Sequence, residues 1–540
     1  MHGTIFVKIQ SVLSLHNESE RSDFMNVLKT PWIPVWTQKN QHIRVTLPTF
    51  YEHAHEYRQL ETENAFDEFS LTRFLALFAH CAYEPESEGD IEDMAETGHF
   101  LMQPIYDYIN LCKNEGVSFE LFDKKRPFLQ AVPNEEYDTE NKKRPIAMMD
   151  FLYANNDIPV HRYQEFEEKY FYRVEDCPIK LLSQYVFSRS KKAGKEGNYC
   201  PSPAGTPTFF LPDAGNLFLN ILFAVPLVVS SRIGAKEFWR SPQTGEEEII
   251  PLKKVGTPSL RYGMIFPCRR IVLSPPESDG LVHTCYYQPG LFARVRSEKT
   301  DEPLWPDDTS ATYWKEERKG VKQKCQFFLQ YDFTDLDAVY NILEKDPTIP
   351  ACIDRYARYS EKHGNFFPPY VAFVTKNNQA DYTAARKILL DIPPAIMENS
   401  ITRCFLRDFL IFAKAKAYSM LKATIREGIA EQNSYHLEGY LEQYRRNVME
   451  LFDTLMHGLL NEIEIETIAF GEIRKRLPAF FEKISEAALA TFDQVMPELS
   501  MSVLNLYRIE NQRNRLYWGL RRLKEYYAEH GEFPSDKRPD

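Results

Sequence analysis

Three carboxamide side chains follow a basic residue directly in this chain, in the run Lys376, Asn377, Asn378 and Gln379. Asn and Gln each carry a hydrogen-bond donor and an acceptor, so they can read base edges or insert between bases without a charge. The apolar, β-branched residues before Lys376 predict a strand that presents these side chains at the tip of a turn. The plainer interpretation is an Asn-rich turn between a strand and a helix, because Asn tolerates the left-handed region and caps helices.

Two other segments carry cations in patterns that suit phosphate. Residues 189–198 combine four cations with glycines, which let a backbone approach a ligand closely. The last predicted helix carries Arg508, Arg515 and Arg522 at seven-residue steps, which places them on nearby faces. A solvated loop and an ordinary solvated helix are the alternatives, since carboxylates dilute the helical stripe.

Composition and net charge limit the kind of nucleic-acid contact that these residues could make. The 540 residues are 43% hydrophobic and 26% charged, which predicts a folded chain of about two or three domains. A net charge of −12 excludes a protein that coats nucleic acid by itself. Residues 84–96 are acidic without a basic residue, whereas cations gather at 124–126, 189–195, 269–270 and along the last helix. Any nucleic-acid contact is therefore expected to be local, with partners neutralising most of the phosphate charge.

The sequence predicts no catalytic residue, no metal and no cofactor. Phosphate-binding loops, dinucleotide fingerprints, nucleophile elbows and HExxH motifs are all missing. The nine cysteines include no CxxC pair, and the spacing of Cys268, His283 and Cys285 is poor for zinc. They suit reduced thiols in a cytoplasm. An unrecognised hydrolase or nuclease site stays open as an alternative.

Nothing in the sequence predicts a membrane segment. The first residues lack a signal-peptide pattern. The longest apolar run, 217–229, is interrupted by Asn220 and Pro226 and is typical of a buried core segment. We therefore expect a soluble, cytoplasmic protein.

The pattern of apolar residues and turn residues predicts an α+β fold that would position these side chains. A hairpin is expected over 32–47 with Lys39 and Asn40 near its tip, and helices are expected around 69–78 and 100–111. Residues 127–204 are punctuated by prolines and predict loops, and residues 217–373 predict short strands and turns. After Gln379 the pattern turns helical, with segments at 389–421, 435–460, 468–489 and 504–528, the third kinked or restarted by Pro478. The prediction is a mixed α/β N-terminal domain over 1–378 and an antiparallel four-helix bundle over 379–540.

Several motifs, in this order, resemble the CasA family, the large subunit of the type I-E CRISPR surveillance complex Cascade. Residues 32–35 look like the opening strand of the family, 126–130 like its HPFMQ segment, and 154–156 like the start of its flexible DNA-contacting loop. Residues 205–208, 217–226, 262–267 and 304–306 follow in the family order. The sharpest match is 377–380, which stands where the family has its wedge.

The resemblance implies an α/β domain, a four-helix bundle and a non-catalytic role. The family recognises the protospacer-adjacent motif in double-stranded DNA, starts strand separation and helps recruit a helicase–nuclease. Its partners are the other Cascade subunits and the CRISPR RNA. The DNA-binding residues that the resemblance implies are Lys376, Asn377, Asn378 and the wedge Gln379, together with Gly197, Asn198, Asn155, Asn156, Arg294 and Arg296.

The chain departs from the family at two of these places. Residues 194–205 hold fewer glycines than the glycine-rich stretch of the family, and Arg294 or Arg296 would replace a groove-reading lysine. A protein–protein scaffold that touches no base is the competing interpretation.

Overall fold

The computed structural model describes residues 25–136, 138–150, 170–187, 209–227, 236–240, 260–267, 269–289, 309–310, 313–315, 322–324, 350–364, 370–378, 381–390, 400–428, 437–463, 475–499 and 503–533. Strands β1 to β13 are, in chain order, Ile33–Thr37, His42–Val45, Tyr57–Leu60, Lys143–Pro145, Tyr172–Arg173, Phe209–Pro212, Arg269–Leu273, Leu281–Val282, Thr284–Pro289, Tyr313–Lys315, Lys322–Lys324, Tyr370–Asn378 and Asp381–Leu390. Helices α1 to α13 are Leu47–His53, Ala65–Tyr83, Glu88–Glu96, Met102–Asn114, Cys177–Phe187, Leu217–Ala224, Leu260–Gly263, Ala351–Lys362, Ser400–Leu410, Ser419–Gly428, Leu437–Ile463, Leu477–Leu499 and Val503–His530. A π-helical segment, Ile411–Tyr418, joins α9 to α10.

The predicted N-terminal hairpin is confirmed. Strands β1 and β2 pair antiparallel from Ile33 opposite Val45 to Trp36 opposite His42, and β3 adds on the other side of β1. Asn40 lies at the turn with φ of 57°, a conformation that Asn adopts more readily than most residues. Trp32, just before β1, is fully buried and donates from Nε1 to the carbonyl oxygen of Val27 at 3.1 Å.

Helix α2 is the centre of the N-terminal core. The Asn64 side chain caps its first turn by accepting from the amide of Asp67. Most of its side chains are buried, including the predicted set Phe69, Leu71, Phe74, Leu75 and Phe78. It packs against α4, α5 and α6. The predicted helices around 69–78 and 100–111 and the predicted core segment after Leu217 are thus confirmed.

The loop prediction for 127–204 is wrong over α5, an eleven-residue helix whose side chains are all buried. Pro178 is its second residue, where proline has no intrahelical hydrogen bond to lose, so it starts this helix instead of breaking it. Helix α8 likewise forms within residues 217–373, for which strands and turns were predicted. That stretch does contain the predicted turn around Gly280, whose φ is 78°, between β7 and β8.

The acidic run 84–96 is paired within the protein. It lies mostly in α3, and α8 lies beside it with Arg355, Arg358 and Lys362. Arg355 contacts Glu88, Arg358 contacts Glu88 and Glu92, and Lys362 contacts Glu96 at 2.6 Å. The run is therefore one half of an ionic helix–helix contact between segments far apart in sequence.

The helical part begins later than predicted. Residues 381–390 form β13, which pairs with β12 across the predicted boundary at 378/379, and the helices begin at Ser400. The following helices are long, as predicted, and α12 begins at Leu477, so that Pro478 restarts a helix. Contacts join α11 with α12, α10 with α13, and α12 with α13. Of the helices described, none has the length and apolar character needed to cross a bilayer.

Candidate nucleic-acid interface

The run at 376–379 lies at the end of a long β-hairpin. Strand β12 pairs with β13 from Tyr370 opposite Leu390 to Asn378 opposite Asp381. Two residues, 379 and 380, join the strands, a length typical of tight hairpin turns. Lys376, Asn377 and Asn378 therefore belong to the last paired rows of the hairpin. The interpretation as a turn between a strand and a helix is correct for the preceding strand, but a second strand follows the turn instead of a helix.

The ladder has one irregularity, close to the tip. Lys376 is opposite Ala384, whereas Asn377 is opposite Tyr382, so Thr383 is an extra residue on β13. A bulge of this kind bends the strand and increases its local twist. The hairpin is therefore bent within its last rows, close to the turn.

A third strand, β6, pairs with the base of the hairpin, at Tyr370 to Phe373 of β12. Residues 374–378 of β12 pair with β13 up to the turn. At about 3.4 Å per residue, these five residues extend the hairpin by about 17 Å from Phe373 toward its tip. A β-ribbon of this kind is a shape that can enter a groove of DNA.

One ion pair ties the hairpin to the N-terminal core. Lys387 of β13 places Nζ 2.6 Å from Oε1 of Glu68 on α2. Burial raises the pKa of Glu68, Lys387 opposes that rise, and the Asp213 carboxylate adds to it. The contact of Lys387 was not predicted because residues 384–387 are rich in helix-forming residues. The sequence signal that could have indicated a hairpin was the two-residue gap between two runs of strand length.

Seven of the ten predicted DNA-binding residues lie outside the described residues: Gln379, Gly197, Asn198, Asn155, Asn156, Arg294 and Arg296. Cys268, weighed as a zinc ligand, also lies outside them. Of its two possible partners, Cys285 is buried, which raises its pKa to about 12, and His283 contacts Asp279 at 2.8 Å. Among the described residues, no group of three or more His, Cys, Asp or Glu is placed to hold a metal ion.

Three arginines of the basic clusters in the sequence are structural. Arg269 and Arg270 are buried, and Arg270 contacts Asp138 at 2.6 Å. Arg126 donates to the carbonyl oxygens of Glu115 and Arg240 at 2.6 and 2.8 Å. The cluster at 269–270 therefore offers no surface to phosphate, a correction to the basic surfaces expected from sequence, whereas Lys124 and Lys125 are exposed.

The cationic stripe on α13 is paired in part, at Arg515 and at two neighbouring cations. Arg515 contacts Glu427, Arg521 contacts Glu525 at 2.8 Å, and Lys524 contacts Glu482. These pairs favour the solvated-helix interpretation of the stripe, although Arg508 and Arg522 are exposed. The hairpin is the stronger candidate for contact with nucleic acid.

The motif at 126–130 holds the core together. Gln130 is 1% exposed; it donates from Nε2 to the carbonyl oxygen of Leu121 at 2.5 Å and accepts from the amide of Leu273 at 2.7 Å. Leu129 has φ of 57°, and its carbonyl oxygen accepts from the Tyr185 hydroxyl at 2.9 Å. The Gln130 side chain thus satisfies two buried backbone groups at once, which is a structural role.

Comparison with known proteins identifies relatives with the same architecture. The family model of the CRISPR-associated protein Cse1 matches residues 26–490. CasA (Cse1) of Thermus thermophilus is 18% identical, with a TM-score of 0.67 over 91% of this chain and 98% of that one. Cse1 of Acidimicrobium ferrooxidans is 15% identical, with a TM-score of 0.68 over 93% and 99%. A chain of a structure titled as a CRISPR RNA-guided surveillance complex is 14% identical, with a TM-score of 0.56 over 91% and 99%. No curated protein sequence matches the chain.

Proposed function

The chain belongs to the family of the CRISPR-associated protein Cse1, and from that premise we propose that it opens target DNA as the large subunit of a CRISPR surveillance complex. In this role it recognises the protospacer-adjacent motif in double-stranded DNA, starts strand separation and helps recruit the helicase–nuclease. The observation that carries the proposal is the long β12–β13 hairpin, whose last rows hold Lys376, Asn377 and Asn378.

Within the hairpin we assign the roles that the family resemblance implies, and the side-chain chemistry suits them. Gln379 is the wedge beneath the first base pair, Asn378 lies at the groove edge, and Lys376 contacts phosphate. Opening one base-pair step costs about 1–2 kcal/mol, and the RNA–DNA hybrid that follows nearly balances the duplex lost. The wedge therefore lowers the barrier to starting and does not supply the driving force.

The remaining DNA contacts are assigned to loops. Gly197 and Asn198 face the motif, Asn155 and Asn156 begin a DNA-contacting loop, and Arg294 or Arg296 reads the groove. Each good base contact contributes roughly 1–3 kcal/mol of discrimination. With a net charge of −12, most of the affinity comes from partner subunits.

The assembly follows from the relatives. One similar chain is part of an RNA-guided surveillance complex. We assign the same setting here, with the other Cascade subunits and the CRISPR RNA as partners. The C-terminal helices act as an antiparallel four-helix bundle, and the subunit is non-catalytic. It works in the cytoplasm, where target DNA and guide RNA meet.

The test is DNA opening by the complex reconstituted with this chain and a guide RNA. Base pairs flanking the target are varied at fixed salt, and opening is followed by the fluorescence of 2-aminopurine placed next to the motif. Wild type should discriminate among flanks, and Gln379→Ala should bind duplex but open it poorly. Gln41→Ala, at the turn of the β1–β2 hairpin, is the matched carboxamide control and should open DNA normally.

Two outcomes would overturn the proposal. If flanking sequence has no effect and Gln379→Ala behaves as wild type, the chain is a scaffold that reads no base. If the isolated chain cleaves DNA in the presence of a divalent metal, the non-catalytic assignment is wrong.

A further inference from the structure

One row of residues joins the hairpin both to β6 and to helix α2. In this row Phe373 of β12 is opposite Phe209 of β6 on one side and opposite Lys387 of β13 on the other, and Lys387 contacts α2. A two-stranded hairpin is marginally stable by itself, so its direction depends on the contacts that such a row makes with the body of the protein.

Lys387 stands in that row and makes the ion pair with α2. Its Nζ lies 2.6 Å from Oε1 of Glu68, whose side chain is 17% exposed, whereas that of Lys387 is 38% exposed. A charge-assisted hydrogen bond of this length is stronger and more directional than a neutral one. Glu68 belongs to α2, the central helix of the N-terminal core, so the contact attaches the hairpin to a well-packed element.

The space beside this ion pair is lined by several elements of the fold. A cavity of about 40 Å³ lies here, lined by residues of β3, α2, β6, α6 and β13, and Lys387 is the lining residue that the hairpin contributes. Lys387 is also the only cation in this lining, which contains the two carboxylates Glu68 and Asp213. A cavity of this size has room for water beside the ion pair.

We propose that the Lys387–Glu68 ion pair is a positioning contact that sets the direction of the β12–β13 hairpin and thereby the rate at which bound duplex is opened. The inference rests on the proposed function of the hairpin. Neither residue is assigned to touch DNA. Their effect is exerted eight residues away from the tip along β13, by holding the ribbon against α2.

The experiment uses the reconstituted complex with Lys387→Met, Lys387→Arg and Glu68→Gln. Lys387→Met should lower the opening rate of saturating duplex about tenfold, which is the effect of losing one charge-assisted hydrogen bond of about 1.4 kcal/mol. Duplex affinity should stay within about twofold of wild type, because phosphate contacts dominate binding. Lys387→Arg should keep most of the opening rate, and Glu68→Gln should behave like Lys387→Met.

A pre-opened duplex separates positioning from loss of structure. With unpaired bases next to the motif, Lys387→Met should form the RNA–DNA hybrid as fast as wild type. The matched control is Lys362→Met, which removes the 2.6 Å pair with Glu96 between two other elements of the body and should leave opening unchanged. If Lys387→Met destabilises the chain, the exchanged pair Glu68→Lys with Lys387→Glu should restore opening relative to Glu68→Lys alone.

The outcomes distinguish this inference from the function on which it rests. Normal opening by Lys387→Met together with poor opening by Gln379→Ala overturns the positioning role alone. Normal opening by Gln379→Ala overturns the proposed wedge function. An equal defect of Lys387→Met on closed and pre-opened duplex would mean a general structural role and would also overturn the inference.

Discussion

Arg355 and Glu88 form a two-point ion pair, with Nε to Oε2 at 2.6 Å and Nη2 to Oε1 at 2.9 Å. The same guanidinium donates from Nη1 to the carbonyl oxygens of Phe223 and Val225 at 2.9 and 2.5 Å. One buried side chain, 2% exposed, thus joins α8, α3 and the end of α6.

Removing this side chain should destabilise the N-terminal body strongly. Arg355→Met leaves the two buried carbonyl oxygens without this donor, which costs about 1–3 kcal/mol for each, whereas Arg358 still contacts Glu88. Arg358→Met, one turn further along α8, should cost about 0–1 kcal/mol because Arg358 is 43% exposed. Thermal unfolding followed by circular dichroism measures both; equal losses of stability would contradict the structural role of Arg355.

His80 makes stability depend on pH. It is 3% exposed; Nδ1 donates to the carbonyl oxygen of Pro226 at 2.7 Å, and Nε2 accepts from Nε of Arg261 at 3.2 Å. Burial and the Arg261 charge lower its pKa to about 4 from the ordinary 6.5, although the carboxylates of Glu237 and Glu84 oppose this. Between pH 6.5 and about pH 4 the unfolded chain therefore binds more protons at this histidine than the folded chain does.

The neutral His80 contributes stability that is complete above pH 6.5 and is lost as the pH falls toward about 4. His80→Asn keeps a donor for Pro226 but does not titrate, so its melting temperature should fall less than that of wild type between pH 7 and pH 5. His99→Asn, at an exposed histidine, should retain the wild-type pH dependence. A His80→Asn profile that parallels wild type would contradict this assignment.

The π-helical segment depends on a hydrogen bond from a neighbouring helix. The hydroxyl of buried Tyr444 donates to the carbonyl oxygen of Ala413 at 2.7 Å, within Ile411–Tyr418. Tyr444→Phe should cost about 1–2 kcal/mol, because it removes the donor from a buried carbonyl oxygen. Tyr507→Phe, at a side chain that is 75% exposed, should have no measurable effect. Hydrogen exchange of residues 411–418 should increase in Tyr444→Phe alone.

The bulge at Thr383 gives a prediction for the hairpin itself. Deleting Thr383 restores one-to-one pairing between β12 and β13, and it removes the bend and added twist near the tip. If the tip is aimed by this bulge, the deletion should slow duplex opening while leaving duplex binding intact. Opening at the wild-type rate would show that the aim of the tip does not depend on the bulge.

The sequence predicted elements whose signal is local. The β1–β2 hairpin, α2 and the long C-terminal helices each follow from residue periodicity and from turn residues such as Asn40, and all are confirmed. Strand β13 was not predicted, because residues 384–387 favour a helix by intrinsic propensity and become a strand through pairing with β12.

The role of charged residues was harder to predict. Arg270 and its partner Asp138 are far apart in sequence, as are Arg355 and Glu88. A basic or acidic run therefore cannot be assigned to the surface until the fold is known. At the candidate site, the carboxamide run was visible in the sequence, whereas the contact of Lys387 with Glu68 depends on tertiary structure alone.

The pairing of β6 with β12 also has a consequence for the folding of this chain during its synthesis on the ribosome. Strand β6 ends at Pro212, and its partner begins only at Tyr370. At about 5–20 residues per second, the nascent chain waits on the order of ten seconds before β12 exists. Through that interval the apolar edge of β6 is open, and an unpaired edge of this kind favours aggregation. The hairpin thus supplies β12 and β13, the two strands that this sheet adds to β6, and a chain truncated before Tyr370 would leave β6 without them.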